Sequence, residues 1–347
     1  MQSTVIYSCF SPSRVEERVQ VADDDTLESA RAVGLALERL GFGVSLLEVP
    51  PGSVGMVGKI KSDLVFNLCE WSGKDFMLGV GVIRVLEEKG ITFTGTDAEG
   101  YSWDSQKQIM KRKFDRMGIP TPKWFVVEKE VFDIPYRFPL PAIIKPALEH
   151  CAIGVSQDSV VFDRIKLKKK VSEMWKRFGE PILVEEFASG KEYQVTVLEK
   201  DGRPWVLPAS EIVYRSAQGF MPILTFDSKW DERSAEVEMS QIRILKDKKQ
   251  RSLITDMCAR AFSLLKCRDY VRFDLREKEG EMLVLEVNVN PGLDFDPEYG
   301  LTVSAKAVGM DFQGVVAVIA ASALRRARLK KHRQKPLLFF TDFRGML

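Results

Sequence analysis

The stretch DYVRFDLREKEGEMLVLEVNVN, residues 269–290, constrains the fold more than any other part of the chain. Two arms rich in apolar and β-branched residues flank Glu279-Gly280, a dipeptide suited to a tight turn, so the segment reads as a hairpin. Side chains two apart share one face of a strand. Antiparallel pairing therefore brings Asp274 from the first arm beside Glu286 and Asn288 from the second. A carboxylate removed from water needs a cation or hydrogen-bonding partners. Two readings follow: a structural cluster neutralised by Arg272 or Arg276, or three oxygen donors suited to Mg²⁺, which keeps waters and takes further ligands from substrate phosphates.

The rest of the chain divides around this hairpin. In the first third, TVIYSCF, VSLLEV and SDLVFNLCE read as strands, alternating with the amphipathic patterns TLESARAVGLALERLG and MLGVGVIRVLEEKG; ITFTG closes the run as a short strand. That β-α-β rhythm predicts a doubly wound parallel sheet. GIPTPKWFVVE is a turn signal followed by a strand. From Pro139 onward short strands dominate (PAIIKPAL, SVVFD, PILVEEFASG, EYQVTVLEK and VLPASEIVYR), interrupted by the basic helix pattern RIKLKKKVSEMWKRFG. The helix patterns QRSLITDMCARAFSLLKC and DFQGVVAVIAASALRRARLKKHRQK precede and follow the hairpin. The class is α/β, turning α+β in the C-terminal half.

Composition narrows the function. Apolar residues at 45% and charged residues at 29% describe a globular chain, and 51 Lys+Arg against 49 Asp+Glu give no global attraction to nucleic acid or membrane. No apolar run reaches the length of a membrane span, and the first residues turn polar and charged too early for a signal peptide. Five cysteines without CxxC spacing read as reduced thiols in a cytoplasmic protein. With His150 and His332 alone, a zinc site or a His-dependent triad has too few ligands.

The remaining candidates line up along the chain. Lys145 ends an apolar strand and precedes a loop containing Gly154, a place where a lysine grips phosphate as a point charge while backbone N–H groups cover it. Glu185 and Glu186 end a second buried strand whose backbone can meet an adenine edge, and Glu192 can hold ribose hydroxyls. In order, these residues and the hairpin describe a nucleotide held between two lobes, with Mg²⁺ on its phosphates.

This order and spacing resemble the ATP-grasp superfamily, specifically its D-alanine–D-alanine ligase-like branch. The resemblance runs from LVFNLCEWSGKDF through GITFTGT, GIPTP, IIKP, LVEEFASGKEY, FDSKWDERS and RFD to LEVNVNPG. It implies a doubly wound N-terminal domain over residues 1–103, a central lid subdomain over 104–187 and a C-terminal catalytic domain over 188–347. It further implies Lys107 and Lys145 as phosphate ligands, Glu185 at the adenine amino group, the backbone of Glu186 and Ala188 along the base, and Glu192 on the ribose. Lys229 would reach the γ-phosphate. Asp274, Glu286 and Asn288 would ligate Mg²⁺, with Mn²⁺ as a substitute. Arg272 and the Gly292 backbone would stabilise a tetrahedral oxyanion. The activity implied is ATP-dependent amide formation between small acids or amino acids through an acyl phosphate, by a homodimer. An enzyme that stops at phosphorylation, or a degenerate nucleotide-binding module, is the alternative.

Four departures bear on substrate. The lid reads EHCAIG, with Cys151 and Ala152 where D-alanine ligases carry paired serines. Trp230 follows Lys229 where they carry tyrosine or phenylalanine. The Gly-Gly start that recognises the first D-alanine is absent; Asp23, Asp24 and Asp25 stand nearby and read as a helix N-terminus. After Gly292 the chain runs LDFDPEYG, placing Asp294 and Asp296 where a second substrate enters and favouring a cationic amine. D-Ala–D-Ala is therefore not the expected product.

Overall fold

A computed structural model of the chain describes residues 1–8, 17–71, 73–293, 296 and 299–334. Strand β1 (Gln2–Ser8) is central in a parallel three-stranded sheet of order β2-β1-β3, with β2 Gly43–Val49 and β3 Leu64–Leu68. Helix α1 (Glu17–Arg39) and helix α2 (Phe76–Glu88) follow β1 and β3. The parallel sheet matches the β-α-β rhythm. Two details differ from the sequence reading. α1 starts well before Thr26, so Asp23, Asp24 and Asp25 lie inside the helix rather than at its start. ITFTG forms only a single parallel bridge, Val65 to Phe93, in place of a strand; Gly95 beyond it takes a φ of 87° and its N–H donates to Asp269, which ends any extended run.

Helices α3 (Ala98–Asp104) and α4 (Lys107–Met117) come next, their sequences too polar and too short to announce themselves. Gly118 at φ 65° stops α4 in the left-handed conformation that glycine takes without steric cost. A four-stranded antiparallel sheet then forms in the order β4-β7-β5-β6, from β4 Trp124–Val127, β5 Ala142–Pro146, β6 Val160–Val161 and β7 Ile182–Glu186. Helix α5 (Arg164–Phe178), capped by the Asp163 carboxylate, covers one face through Leu167, Val171 and Met174. The other face turns toward the rest of the molecule.

The third sheet is antiparallel and has six strands: β8 Glu192–Lys200, β9 Arg203–Val206, β10 Ser210–Tyr214, β11 Ser240–Ile244, β12 Tyr270–Lys278 and β13 Glu281–Asn288. Helix α6 (Phe226–Trp230) lies between β10 and β11, and α7 (Lys248–Leu264) between β11 and β12. Helices α8 (Gly300–Lys306) and α9 (Phe312–Gln334) follow β13. The β12–β13 hairpin is the one read from sequence. Glu279 (φ 52°) and Gly280 (φ 83°) both take positive φ, the requirement of a two-residue turn that follows strand twist.

The cores bind these parts together. Met110 and Phe114 of α4 pack with Tyr193, Val195, Phe273 and Val287 on one face of the large sheet, under α7. Val315, Val316, Ile319 and Ala320 of α9 pack with Val5, Val33 and Phe66 of the N-terminal sheet. Both helices thus tie together elements distant in sequence; on the large sheet's other face Leu198 and Tyr270 join the core with α9, and polar residues follow along the strands beyond them.

Candidate active site

The hairpin register determines what meets on that polar face. Asp274 stands opposite Glu286 on β13 and opposite Gln194 on β8; Arg272 stands opposite Asn288 and Thr196. A register shift between Asp274 and Leu275 marks a bulge there, a device that re-aims side chains at functional edges. Asp274 is clamped by Arg272 through two hydrogen bonds, Nε to Oδ1 at 2.8 Å and Nη2 to Oδ2 at 3.0 Å, and Asn288 Nδ2 donates to Asp274 Oδ2 at 3.2 Å. The neutralising partner of Asp274 is thus Arg272, and the three oxygen-bearing side chains converge as the hairpin reading requires.

Glu286 has a different counter-ion. Lys107, at the start of α4, places Nζ 2.9 Å from Glu286 Oε1 and donates to the Glu149 carbonyl at 2.6 Å. Burial works against the charge on Glu286, yet the Lys107 ammonium and, after it, His150 and Lys145 hold its carboxyl well below the usual carboxylate range. Asp104, at the end of α3, shows the opposite balance. Its burial, then the nearby charges of Glu286 and Glu70, push its carboxyl well above that range, and its Oδ1 accepts from Val289 N at 3.3 Å.

A second ion cluster joins the small sheet to the hairpin. Glu185 on β7 is almost wholly buried, with Lys111 Nζ 2.5 Å from one oxygen and Lys145 Nζ 2.9 Å from the other. Burial would raise this carboxyl; Lys111 and Lys145 together bring it down to about 2. Lys111 also donates to Thr121 Oγ1 at 2.6 Å and to the Leu285 carbonyl at 2.7 Å, and burial lowers its own pKa. The Glu185 side chain is therefore engaged by two lysines, leaving its strand backbone to face any third group.

The remaining predicted residues fall around these clusters. Glu186 pairs with Lys278 at 2.6 Å, and Ala188 is buried. Glu192 Oε2 accepts from Tyr214 OH at 2.7 Å and from Arg276 Nη1 at 3.0 Å. Lys229 in α6 is exposed and has no ion-pair partner among the described residues. Trp230 Nε1 donates to the Cys151 carbonyl at 3.1 Å, and Phe226 N donates to the Val155 carbonyl, so α6 lies against the 147–155 loop. Cys151 (φ 56°) and Ala152 (φ 62°) hold left-handed backbone conformations there, which cost a non-glycine residue about 1 kcal/mol or more each. Leu148 N is held by Glu180 Oε1 at 2.9 Å; burial lifts the Glu180 carboxyl to about 7. Gly292 is described and Asp296 is exposed, whereas Asp294 lies outside the described residues.

Two carboxylates and an amide oxygen suit a hard divalent cation. Asn288 spends its Nδ2 on Asp274, so its Oδ1 carries no hydrogen bond among the described residues. No group of three or more His, Cys, Asp or Glu side chains that could hold a metal occurs among the described residues. Sequence reasoning missed Lys111 and Tyr214, and it weighed Arg276 as a neutraliser of the hairpin cluster, whereas Arg276 pairs with Glu192. The i, i+4 spacing of Lys107 and Lys111 on one helix face was the available signal for Lys111; the partner of Tyr214 is assigned only by the tertiary fold and gave none.

Residues 114–321 match the family model for the D-ala D-ala ligase C-terminus. A D-alanine–D-alanine ligase of Aquifex aeolicus is 28% identical over 298 residues, covering 85% of this chain and 94% of its own. An uncharacterised protein of Sinorhizobium fredii is also 28% identical, over 267 residues and 76% of each chain. Among solved structures, D-alanine–D-alanine ligase from Bacillus anthracis complexed with ATP superposes with a TM-score of 0.73 at 20% identity, covering 95% of this chain and 99% of that one.

Proposed function

The chain belongs to the D-Ala–D-Ala ligase C-terminus family, and from that premise we propose that it is an ATP-dependent carboxylate–amine ligase joining small acids or amino acids. The observation that carries this reading is the convergence of Asp274, Glu286 and Asn288 on one sheet face, with Arg272 clamping Asp274, Lys107 paired with Glu286 and Lys145 close enough to act on the Glu286 charge.

In the proposed reaction, a carboxylate oxygen of the first substrate attacks the γ-phosphorus of ATP, forming a P–O bond as the bond to ADP breaks. The amine of the second substrate then attacks the acyl carbon, loses a proton and expels phosphate, leaving an amide. Lys107 and Lys145 orient the phosphates and offset their charge; Lys229, unpaired on α6, closes over the γ-phosphate. Asp274, Glu286 and Asn288 would hold Mg²⁺, which would supply charge neutralisation for the phosphates when bound. Arg272 and the Gly292 N–H face the oxyanion that develops on the acyl carbon, the kind of contact that carries much of such a rate enhancement. The 147–155 loop and α6, linked through Trp230 and Cys151, exclude water from the acyl phosphate.

Three domains, over residues 1–103, 104–187 and 188–347, are part of this proposal, as are the adenine contacts along Glu185, Glu186 and Ala188, the ribose contact of Glu192, the substrate contacts of Trp230, Asp294 and Asp296, and a cytoplasmic homodimer. No helix among the described residues is long and apolar enough to cross a membrane. The test is a phosphate-release screen over carboxylates and amines, singly and in pairs, with mass spectrometry of the product. ADP formation that needs both substrates, with an amide as product, is expected. Tight ATP binding without turnover over the whole panel would overturn the reading.

A further inference from the structure

The large apolar side chains that face water most fully collect at one place. Among the described residues the four most exposed are Val131 (90%), Tyr136 (89%), Ile165 (84%) and Phe162 (60%). Val131 and Tyr136 lie between β4 and β5, Phe162 between β6 and α5, and Ile165 in the first turn of α5. Scattered singly, such residues need no explanation; grouped, they mark an interaction surface. Ile165 also lines an open depression of about 530 Å³, together with Lys168 and Lys169 of α5 and with Phe132 and Ile134 of the 128–141 connection. Pockets of this size are large enough to bury most of a bulky ligand group.

The depression is built into the fold. Arg164 donates from Nη2 to the Ile134 carbonyl and from Nη1 to the Tyr136 carbonyl, each at 3.0 Å, and so pins the connection beside α5. The charge around it is of one sign. Seven of the 15 residues of α5 are Lys or Arg, and Glu173 is the helix's one acid. Lys168 has no ion-pair partner among the described residues. Lys169 meets Glu173 at 3.8 Å with both side chains exposed, a pair worth little. Asp133 is the one carboxylate in the lining. Ile144 and Val184 pack under α5, so their neighbours Lys145 and Glu185 leave the small sheet on its other face. A molecule seated in the depression therefore does not obstruct them.

Shape, polarity and sign together select the occupant. Nucleic acid is met mainly through polar and charged groups, which leaves Val131 and Ile165 without a role. A bilayer is entered by apolar side chains that stand proud of the surface, and a hollow of this size would stay unfilled against it. A partner protein fills a hollow with one bulky side chain while its carboxylates meet the lysines at the edge, an apolar anchor inside a charged rim. We infer that the depression between α5 and the 128–141 connection docks an acidic segment of a second protein. A large apolar side chain of that segment sits against Phe132, Ile134 and Ile165, and its carboxylates meet Lys168 and Lys169. Docking there is independent of the reaction proposed above.

The test measures, by fluorescence anisotropy, binding of a short fluorescein-labelled peptide to the full-length protein. The peptide consists of glutamates with leucine and phenylalanine at helical spacing. One control peptide carries lysine in place of glutamate and another carries serine in place of leucine and phenylalanine; phosphatidylglycerol vesicles are offered separately. The acidic apolar peptide is expected to bind in the micromolar range, each control peptide about tenfold more weakly or worse. Ile165→Ser alone, and Lys168→Glu together with Lys169→Glu, should each weaken binding by about tenfold or more. The doubly charge-reversed variant should bind the lysine peptide better than wild type does. Leu253→Ser with Lys249→Glu, on the exposed side of α7, should leave binding unchanged. If Ile165→Ser does not fold, Tyr136→Ser decides by the same ratio. No binding of the acidic peptide, binding indifferent to the α5 substitutions, or binding to the vesicles alone overturns the inference. Self-association in sedimentation that Ile165→Ser abolishes, with no peptide bound, overturns it in favour of a second copy of this chain.

Discussion

Replacing Lys111 by methionine tests how the site is held together. The substitution removes an ammonium that lies 2.5 Å from Glu185, 2.6 Å from Thr121 Oγ1 and 2.7 Å from the Leu285 carbonyl, in a place almost fully closed to water. Methionine fills nearly the same space, so the cavity contribution is small. The main cost is electrostatic: Glu185 keeps Lys145 but loses its nearer counter-ion, and breaking one side of a buried ion pair costs about 3–5 kcal/mol. For domains of 150–250 residues each kcal/mol moves Tm by about 2–4 °C, so Tm should fall by on the order of 10 °C. The pH dependence gives a second, independent signature. The Glu185 carboxyl, held at about 2, contributes stability that is fully present above its unfolded pKa and is lost as pH falls through 2. With Lys111 gone that pKa rises, so acid unfolding begins at higher pH. Glu185→Gln in the Lys111→Met background should recover part of the loss. Thermal melts across pH with circular dichroism read both effects; a change under about 1 kcal/mol, with the acid limb unmoved, would refute the account of Lys111 as the clamp between β7 and β13.

Other outcomes follow from the same geometry. Glu286→Gln keeps shape but removes a charge whose partner is Lys107; turnover should fall by about a hundredfold or more, the scale of losing one strong contact to developing charge, and near-normal turnover would count against the site assignment. Glu180, raised to about 7, contributes stability that is present below its unfolded pKa and lost as pH rises through 7, a swing of roughly 3 kcal/mol that Glu180→Gln should abolish in urea titrations run from pH 5 to 8. Trp230→Phe removes the Nε1 bond to the Cys151 carbonyl, worth about 1 kcal/mol, and should raise the uncoupled release of phosphate through water entry, measured with the carboxylate alone; an unaltered coupling ratio would argue against loop closure through that bond.

How much of this was legible beforehand depended on whether the information was local. The hairpin was: period-two patterning and Glu279-Gly280 give its arms, turn and register, and the register alone brings Asp274 beside Glu286 and Asn288. The parallel sheet was legible for the same reason. The helix start was not, because Asp23, Asp24 and Asp25 carry the composition of a cap, yet the chain propagates the helix through them from Glu17. The fate of Glu185 was not legible either. A glutamate at the end of a buried strand gives no hint that two lysines, one on a helix about seventy residues earlier, will close on it, since that contact exists only once α4 is fixed against the large sheet by Met110 and Phe114.

These pairings explain how so many charges are tolerated close together. Lys107 is matched with Glu286 and Arg272 with Asp274, while Glu185 is shared by Lys145 and Lys111, and none of these groupings leaves a bare ion in a buried space. A triphosphate arriving with a divalent cation brings both signs together. Under the proposed reading the phosphates would take up Lys107, Lys145 and Arg272 while the oxygens of Asp274, Glu286 and Asn288 turn to the cation and Glu185 keeps Lys111, so partners would be exchanged without stranding a charge. Either component alone would leave unmatched ions, and under the proposed reading that asymmetry would make binding of nucleotide and divalent cation mutually dependent. Coupling free energies of this kind are reciprocal. Removing Glu286 should therefore weaken the effect of Mg²⁺ on ATP affinity as much as it weakens the effect of ATP on Mg²⁺ affinity, and calorimetric titrations of each in the presence of the other measure the two sides of that equality.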